Sequence, residues 1–451
     1  MPVAALLVAC AASAQPALPA PTAASVPAPE DGYLWLEEVQ GDKALAWVRE
    51  RNALAREQLH KHPAYAPTRD ALRAVLDSTA RIPTLSRHGD WHYNLWRDAE
   101  HPRGLWRRAT LAEYRQPQPA WETVLDLDAL ARAEKENWVW GQALCLGPSY
   151  RRCLISLSRG GADAKVWREF DTVDRAFVAG GFTLPEAKSD VAWVDADTLI
   201  VGTDVGAGSM TDSGYPRILK RWQRGQPLAA ATTVFEAEPA DVSADVEVIT
   251  TPGEERTVFT RYVNRTDQRR WLLKGDGSRT PIPVPPDARM RFWESRLLIE
   301  LRSDWQVNPA QHHPRGALLV TDFAAFMQGE RRFQRLFEPS ATRSLASYTT
   351  TRSQVLLNVL DNVASRLEAW RPLDDKRWQR REIATPTPGT LALTGLHDPL
   401  LKGDALAETF WLNHSGFLTP DTLYIAEAAR DTLQAVKSLP AFFDASGARV
   451  E

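Results

Sequence analysis

The sequence of 451 residues has only three cysteines and almost no excess of charge, with a formal net charge of −3. This charge argues against a nucleic-acid partner, which usually requires a basic patch. No apolar run is long enough to span a bilayer. No Gly-rich loop opens a helix, as a phosphate-binding loop would. We therefore expect no nucleic acid, no transmembrane segment and no cofactor.

The motif of a serine hydrolase is also absent. In G-x-S-x-G the serine stands on a strained turn, clear of the sheet, where it meets a histidine base. Ser149 follows Gly147 at the right spacing, but Arg151 replaces the second glycine, and the serines near other glycines fail as well. We assign no catalytic residue and expect no serine-hydrolase activity from this chain alone.

Histidine and acidic pairs have interpretations simpler than metal or glycosidase chemistry. No H-x-x-x-H pair lies on a predicted helix face with a third ligand, which zinc catalysis requires, so we assign no metal site. Paired acids such as Asp195 and Asp197 are interpreted as turn formers. Three histidine pairs are interpreted as solvated surface residues: His60 and His62, His88 and His92, and His312 and His313.

Residues 1–14 have features of an export signal. Positions 4–12 are mostly small and apolar, and Ala-Ser-Ala at 12–14 resembles a cleavage site. The positive n-region of a signal peptide is missing, which suggests a start codon further upstream. A lipoprotein box with Cys10 as the lipidated residue is the alternative, and plain cleavage after Ala14 is favoured. Residues 15–30 are rich in Pro and Ala and predict a disordered tether. We expect a periplasmic or secreted protein.

The remaining chain changes character near residue 81. Residues 31–80 predict a helical segment, because apolar residues recur at helical spacing from 44 to 59 and again from 71 to 76. After Arg81, short apolar or aromatic runs alternate with Gly, Pro, Asp and Ser turns. The chain has 17 Trp, and large rings suit the layers between the sheets of a propeller. Residues 81–440 are predicted to be all-β.

The strands of this region form weak repeats of about 49 residues, within the range for propeller blades. A β-sandwich would be too small for this length, and a membrane barrel would show sustained ten-residue alternation. We predict an all-β, seven-bladed β-propeller with a short N-terminal helical segment. The seven units begin near Trp91, Trp138, Val191, Asp245, Phe292, Leu345 and Leu391.

Two cysteines flank a predicted hairpin turn at 147–151. Pairing residues whose numbers sum to 298 places Cys145 and Cys153 opposite each other. In an oxidising compartment they could form a disulfide, although a loop this short gains little chain entropy. Two reduced strand cysteines are the alternative, and the sequence leaves both open.

Segments at the two ends of the region carry a family resemblance. Asp-Gly-Tyr-Leu-Trp-Leu-Glu at 31–37 and Pro-Ala-Phe-Phe-Asp-Ala-Ser-Gly at 440–447 are similar to the flanks of the prolyl oligopeptidase propeller, although Gly32 stands where the family usually has Pro. The resemblance covers about residues 30–451. It implies a propeller that covers the active site of an α/β-hydrolase domain and restricts access to short peptides, often cleaved after proline.

The resemblance also implies what lies next to this chain. The Ser-Asp-His triad would lie beyond Glu451, residues 31–80 would pack on a hydrolase domain in cis or in trans, and residues 441–451 would begin the linker to it. The Gly-rich stretch 202–209 is interpreted as a mobile loop between two strands. The resemblance makes it a long loop of the third blade, with substrate gating as the alternative. Three hypotheses stay open: a truncated oligopeptidase, which the retained helices favour, a stand-alone propeller that binds a peptide or protein, and a split enzyme.

Overall fold

The structure, a computed structural model, describes residues 31–38, 40–374, 377–386, 388–430, 433–441 and 444–450. The predicted export signal, with Cys10, and the predicted tether lie outside the described residues. The chain divides into two compact units, residues 1–75 and 76–451. None of the described helices is long and apolar enough to cross a membrane.

The first unit is helical, as predicted. A 3₁₀ turn at Leu34–Glu37 precedes α1, Asp42–His60, and α2 begins at Tyr65 and ends at Asp77. Asp42 in the first turn of α1 and His60 in its last turn suit the helix dipole. Large apolar side chains on both helices are exposed, including Leu59, Leu72 and Val75 at 59%, 60% and 70%. Both helices therefore leave part of their apolar surface exposed to water.

The second unit is a seven-bladed β-propeller, built from seven antiparallel sheets in sequence order. Blades 1 to 3 comprise β1 to β13: β1 Ser86–His88, β2 Trp91–Trp96, β3 Leu105–Thr110 and β4 Glu122–Asp126; β5 Trp138–Cys145, β6 Arg152–Arg159, β7 Lys165–Asp171, β8 Ala176–Phe177 and β9 Thr183–Ala187; β10 Asp190–Asp195, β11 Thr198–Gly202, β12 Ile218–Gln223 and β13 Thr232–Glu236.

Blades 4 to 7 follow the same order, and blade 5 carries an extra hairpin, β20 and β21. Their strands are β14 Ser243–Ile249, β15 Arg256–Tyr262, β16 Gln268–Leu273 and β17 Arg279–Pro281; β18 Arg289–Trp293, β19 Arg296–Glu300, β20 Trp305–Asn308, β21 Gln311–His313, β22 Leu318–Asp322 and β23 Gln334–Phe337; β24 Arg343–Thr350, β25 Val355–Asp361, β26 Ala364–Pro372 and β27 Trp378–Ile383; β28 Thr390–Gly395, β29 Thr409–Ser415, β30 Thr422–Glu427 and β31 Leu433–Ser438.

The predicted blade count is confirmed, and the predicted starts lie close to the observed ones. The first blade begins five residues earlier than expected, at Ser86 rather than Trp91, because β1 is a short strand of three residues without an apolar run. The other six blades begin at or within three residues of the predicted positions. Short helices that the sequence reading missed are α3 Leu111–Tyr114, α4 Leu127–Glu134, α5 Phe323–Met327 and a 3₁₀ turn at Leu228–Ala230.

Seven apolar clusters join each blade to the next around the ring. Aromatic rings fill several of them, as the tryptophan content predicts. Trp106 of blade 1 lies 6.0 Å from Phe170 of blade 2, and Phe235 of blade 3 stacks on Phe259 of blade 4 at 5.0 Å. Such pairs add to the free energy gained by burying the rings. The blades therefore occupy the ring in sequence order.

The two faces of the ring carry different connections. We define the terminal face as the one that holds the connections between the second and third strands of each blade. The chain enters and leaves the propeller on this face: the Asn94 side chain at the end of β2 donates to the carbonyl of Thr84, and Leu439 donates to the carbonyl of Asp421, which joins β29 to β30. The opposite side, the far face, holds the connections between the first and second strands.

Blade 7 and blade 1 share no strand, so side chains must close the ring. Tyr114 packs against Trp411 with ring centroids 5.8 Å apart. On the far face both terminal nitrogens of Arg87 donate to the Asp404 carboxylate, at 2.9 and 2.7 Å. The side chains of Arg87 and Asp404 are 8% and 1% exposed. The ion pair is therefore buried at the junction of the first and last blades.

We predict that Asp404→Asn destabilises the propeller by about 3 kcal/mol, because it leaves a buried guanidinium without its counter-ion. Burial alone would raise the pKa of Asp404, but hydrogen bonds from Arg87 and from two backbone N–H groups outweigh it and lower this pKa to about 2. A lowered acid pKa stabilises the fold above pH 4 and loses this effect toward pH 2. Denaturant unfolding of the wild-type and variant chains at pH 7 and pH 2.5 measures the free energy of unfolding that the substitution removes. The same destabilisation at both pH values would contradict the account.

Candidate functional site

A polar cavity interrupts the apolar layer between blades 4 and 5. Asp245 on β14 pairs with Thr260 on β15, which pairs with Arg270 on β16, so the three side chains share one face of blade 4. The cavity has a volume of about 530 Å³. Charged residues and tyrosines from blades 3 to 6 line it: Asp190, Asp245, Glu247, Tyr262, Arg270, Arg289, Arg291, Glu300 and Tyr348.

Many of these residues lie at the terminal-face ends of their strands. Asp190 is the first residue of β10 and Arg289 the first of β18, while Tyr262 and Glu300 are the last of β15 and β19. The inner strands of a propeller surround its axis, and ligand sites favour such concave, convergent positions. The cavity is therefore the best candidate for a binding site in the described part of the chain.

The carboxyl groups of Asp190 and Asp245 both line the cavity, and the charge of Asp245 affects the pKa of Asp190. Burial and the nearby Asp245 carboxylate together raise the pKa of Asp190 to about 7, although the backbone N–H of Val246, which donates to Asp190 Oδ2 at 2.7 Å, acts in the opposite direction. Burial also raises the pKa of Asp245. Asp190 is therefore partly protonated near neutral pH, and either a proton or a cationic group would relieve the repulsion.

Arg270 is the most deeply buried cation among the described residues of the cavity lining, at 7% exposed, and Arg289 and Arg291 also line the cavity. The Nη2 atom of Arg270 donates to Gln268, whereas its buried Nη1 has no hydrogen-bond partner among the described residues. Burial lowers the pKa of Arg270 and raises that of Glu247, and the attraction between their charges opposes both shifts. The cavity can hold polar or charged groups of a peptide, but it brings together no nucleophile and base.

The interpretation of His88 and His92 as solvated residues is wrong. Burial lowers the pKa of each to about 4. His88 pairs with Trp91 and Arg87 with His92 across the β1–β2 turn, so the two imidazoles point to opposite faces of blade 1 and cannot share a metal ion. Both histidines lie in the first two strands of blade 1, where His92 is 1% exposed and His88 packs edge-on against Tyr150 of blade 2. A contact of this kind between distant residues leaves no local pattern in the sequence.

The other histidine pairs give a mixed result. His60 and His62 are exposed at the end of α1, as predicted. His312 is exposed, whereas His313 is buried at 5% and packs edge-on against Phe333, with ring centroids 5.5 Å apart. Strand β21 turns alternate residues to opposite sides, which explains the difference. No group of three or more His, Cys, Asp or Glu within the described ranges could hold a metal ion.

The two cysteines lie where the sequence places them. Cys145 pairs directly with Cys153 in the β5–β6 hairpin, in the expected register, and the structure joins them by a disulfide with Cα atoms 3.9 Å apart. The redox state of this pair in the cell stays a prediction. The bond lies at the far face, away from the polar cavity, and supports the hairpin rather than a reaction.

The Gly-rich loop follows β11, and the chain does not reach β12 until Ile218. The loop connects the second and third strands of blade 3 and therefore lies on the terminal face. Ser209 is buried and its hydroxyl donates to the carbonyl of Gly206 at 2.6 Å, while the N–H of Gly206 donates to Asp204. The loop therefore stabilises its own turn, and its role in gating stays a prediction.

Comparison with known proteins identifies the family of the chain. The model of the prolyl oligopeptidase N-terminal beta-propeller domain matches residues 25–438. The chain belongs to the prolyl oligopeptidase family. It is 34% identical over 437 residues to an uncharacterized peptidase of Sinorhizobium fredii, which covers 93% of the chain and 58% of that protein. It is 28% identical over 375 residues to an uncharacterized peptidase of Rickettsia prowazekii, over 77% and 50% of the two proteins.

Solved structures of the family share the fold. A post-proline cleaving enzyme from Rickettsia typhi superposes with a TM-score of 0.81 at 23% identity, over 91% of this chain and 60% of that one. Oligopeptidase B from Leishmania major gives 0.70 at 14% identity, over 93% and 57%. The chain thus spans between half and three fifths of the length of these relatives.

The polar cavity has almost no signature in the sequence. Its one signal is the run Asp245, Val246, Glu247 in the first strand of blade 4, where acids alternate with apolar residues next to the axis. Arg270 and Asp190 join these acids only through the pairing of strands and the packing of neighbouring blades. Such contacts have no local pattern in the sequence.

We predict that Asp190→Asn stabilises the propeller at pH 8 by roughly 2 kcal/mol and has little effect at pH 4. Between these values the native state keeps a proton that the unfolded state releases, so wild-type stability falls as the pH rises, and the asparagine removes this dependence. Urea unfolding at the two pH values measures it. Asp195→Asn, on the same strand but exposed, is the control, and a loss of stability in Asp190→Asn at pH 8 would contradict the account.

Proposed function

We propose that this chain is the substrate-gating propeller of an exported prolyl oligopeptidase-like serine peptidase that acts on short, often proline-containing peptides. The hydrolase domain would be supplied in cis or in trans. The observation that carries the proposal is the combination of family membership with a ring whose chain ends leave on one face. Residues 1–14, with their signal-like composition, support export, and anchoring through Cys10 is the alternative form of the same proposal.

The terminal face has the surface that a docked domain needs. Four exposed apolar side chains project from its connections: Val205 and Tyr215 at 40% and 38%, Val363 at 92% and Phe417 at 85%. Two others, Val173 and Leu373 at 59% and 54%, lie in far-face connections, so the larger group is on the terminal face. A group of exposed apolar side chains on one face favours an interaction surface. The polar cavity has residues at this same face, so a domain docked here would lie over the cavity.

The helical unit supports the same partner. Of the large apolar side chains that are exposed, a second group lies between residues 33 and 76, outside the propeller. On α2, Leu72, Val75 and Leu76 follow helical spacing and form one apolar face, exposed at 60%, 70% and 73%. A hydrolase domain that covers this face would remove it from water.

We predict that the apolar face of α2 drives association of the free chain. Leu72→Asp combined with Val75→Asp should lower concentration-dependent self-association at least fivefold, because it places charge on the contact. Analytical ultracentrifugation across a concentration series measures this. Ala74→Asp adds a charge on a different side of the same helix and serves as the control. A wild-type chain that stays monomeric at high concentration would contradict the prediction.

We predict that the 451-residue chain does not cleave peptides, because it carries no G-x-S-x-G nucleophile. The assay uses a fluorogenic proline-containing peptide with and without a serine-directed inhibitor. Cleavage should be indistinguishable from buffer. Inhibitor-sensitive turnover by the pure chain would show that a nucleophile exists within these residues and would overturn the assignment of gating alone.

A second function, peptide or protein binding by a stand-alone propeller, is favoured by one observation. The buried Nη1 of Arg270 lacks a hydrogen-bond partner among the described residues, which suits a site that a ligand completes. Calorimetric titration of the chain with short peptides separates the two functions. A gate without its hydrolase domain should bind them weakly, whereas a binding module should hold a preferred peptide at micromolar concentration or below.

A further inference from the structure

The connection between β28 and β29, residues 396–408, has a route that the proposed function does not explain. It lies on the far face and belongs to blade 7. Its turn structure is organised by Asp404, which accepts hydrogen bonds from the backbone N–H groups of Asp398 and Leu406 at 2.9 and 3.0 Å. His397 Nδ1 lies 3.4 Å from the same carboxylate. The segment is therefore folded on itself around one buried acid.

This segment is fixed to both neighbours of blade 7. On blade 1, Arg87 donates to the Asp404 carboxylate and to the carbonyl of Leu396. On blade 6, the backbone N–H of Arg352 donates to the carbonyl of Ala407 at 2.8 Å. Adjacent blades are expected to share such contacts, so these hydrogen bonds fix only the base of the segment.

The segment also reaches two blades that do not touch blade 7. Tyr150, in the β5–β6 turn of blade 2, donates its hydroxyl to Asp398 Oδ2 at 2.7 Å. The Leu400 side chain fills the space in front of Gly147 in the same turn, so that a methyl group there would collide with it. Glu294, in the β18–β19 turn of blade 5, lies 3.2 Å from His397 Nε2.

The positions of these blades decide where the segment runs. Around a ring of seven blades in sequence order, blades 7 and 2 are two steps apart, 2 and 5 three steps, and 5 and 7 two steps. No gap reaches half the ring, so a triangle drawn through the three blades encloses the axis. We infer that residues 396–408 form a strap that closes the far-face mouth of the propeller by bridging blades 7, 2 and 5.

The strap changes what the propeller can admit. With the far face closed, the interior is a cup open only toward the terminal face, and a peptide reaches it from the side where the hydrolase domain would dock. This consequence rests on the proposed function, whereas the strap itself does not. The cup also limits how much of a peptide can extend past the site of cleavage.

Hydrogen–deuterium exchange of the 451-residue chain tests the strap. The amides of Asp398 and Leu406 should exchange at least a hundredfold more slowly than in an unfolded peptide. Glu294→Gln, on blade 5, should speed exchange at both amides at least fivefold, as should Tyr150→Phe on blade 2, because either change loosens one anchor of a single bridge. Amides of β25 should stay protected and show that the ring remains folded.

Glu300→Gln is the matched control, since it makes the same change at the other end of blade 5, where the residue contacts Arg289 rather than the strap. The inference is overturned if Asp398 and Leu406 exchange at the rate of free peptide in the wild-type chain. It is also overturned if Glu294→Gln changes neither amide, since the strap would then not reach blade 5. Neither readout involves peptidase activity, so a failed strap and a failed gate are distinguishable.

Discussion

The closure of the ring between blades 7 and 1 is the constraint on which the rest of this structure depends. Every blade is built from consecutive strands, so no backbone ladder joins the last blade to the first. The Arg87–Asp404 ion pair and the Tyr114–Trp411 contact replace that ladder. Buried ion pairs give little net stability compared with apolar packing, but breaking one is costly. The junction is thus specific in its geometry and sensitive to loss of either partner.

The two faces of the closed ring have opposite characters. On the far face, Asp404 serves both the junction and the strap, so the same carboxylate holds the ring together and shapes the segment that covers its mouth. On the terminal face, exposed apolar loops and the polar cavity stand together with the chain ends. A propeller closed on one side and open on the other suits a domain that covers a reaction site rather than a pore through which peptides pass.

The architecture was predictable because each propeller blade gives a local pattern in the sequence. Turn residues between short apolar runs recur about every 49 residues, and the unit predicted to begin at Trp138 begins there. The helices α1 and α2 were found from apolar spacing, and the register of Cys145 and Cys153 from a hairpin count. The buried state of His92, the Asp190–Asp245 pair and the strap depend on contacts between distant blades. Such contacts have no sequence period, and no reading of single strands can supply them.

The central claim is that this propeller works with a serine hydrolase of the prolyl oligopeptidase family. The most direct test is to sequence the native locus past codon 451. The account predicts an in-frame continuation that carries G-x-S-x-G followed by an Asp and a His, or else a separately encoded hydrolase that co-purifies with the chain. A stop codon with no such hydrolase bound to the native protein would contradict it and leave a peptide-binding propeller as the better account.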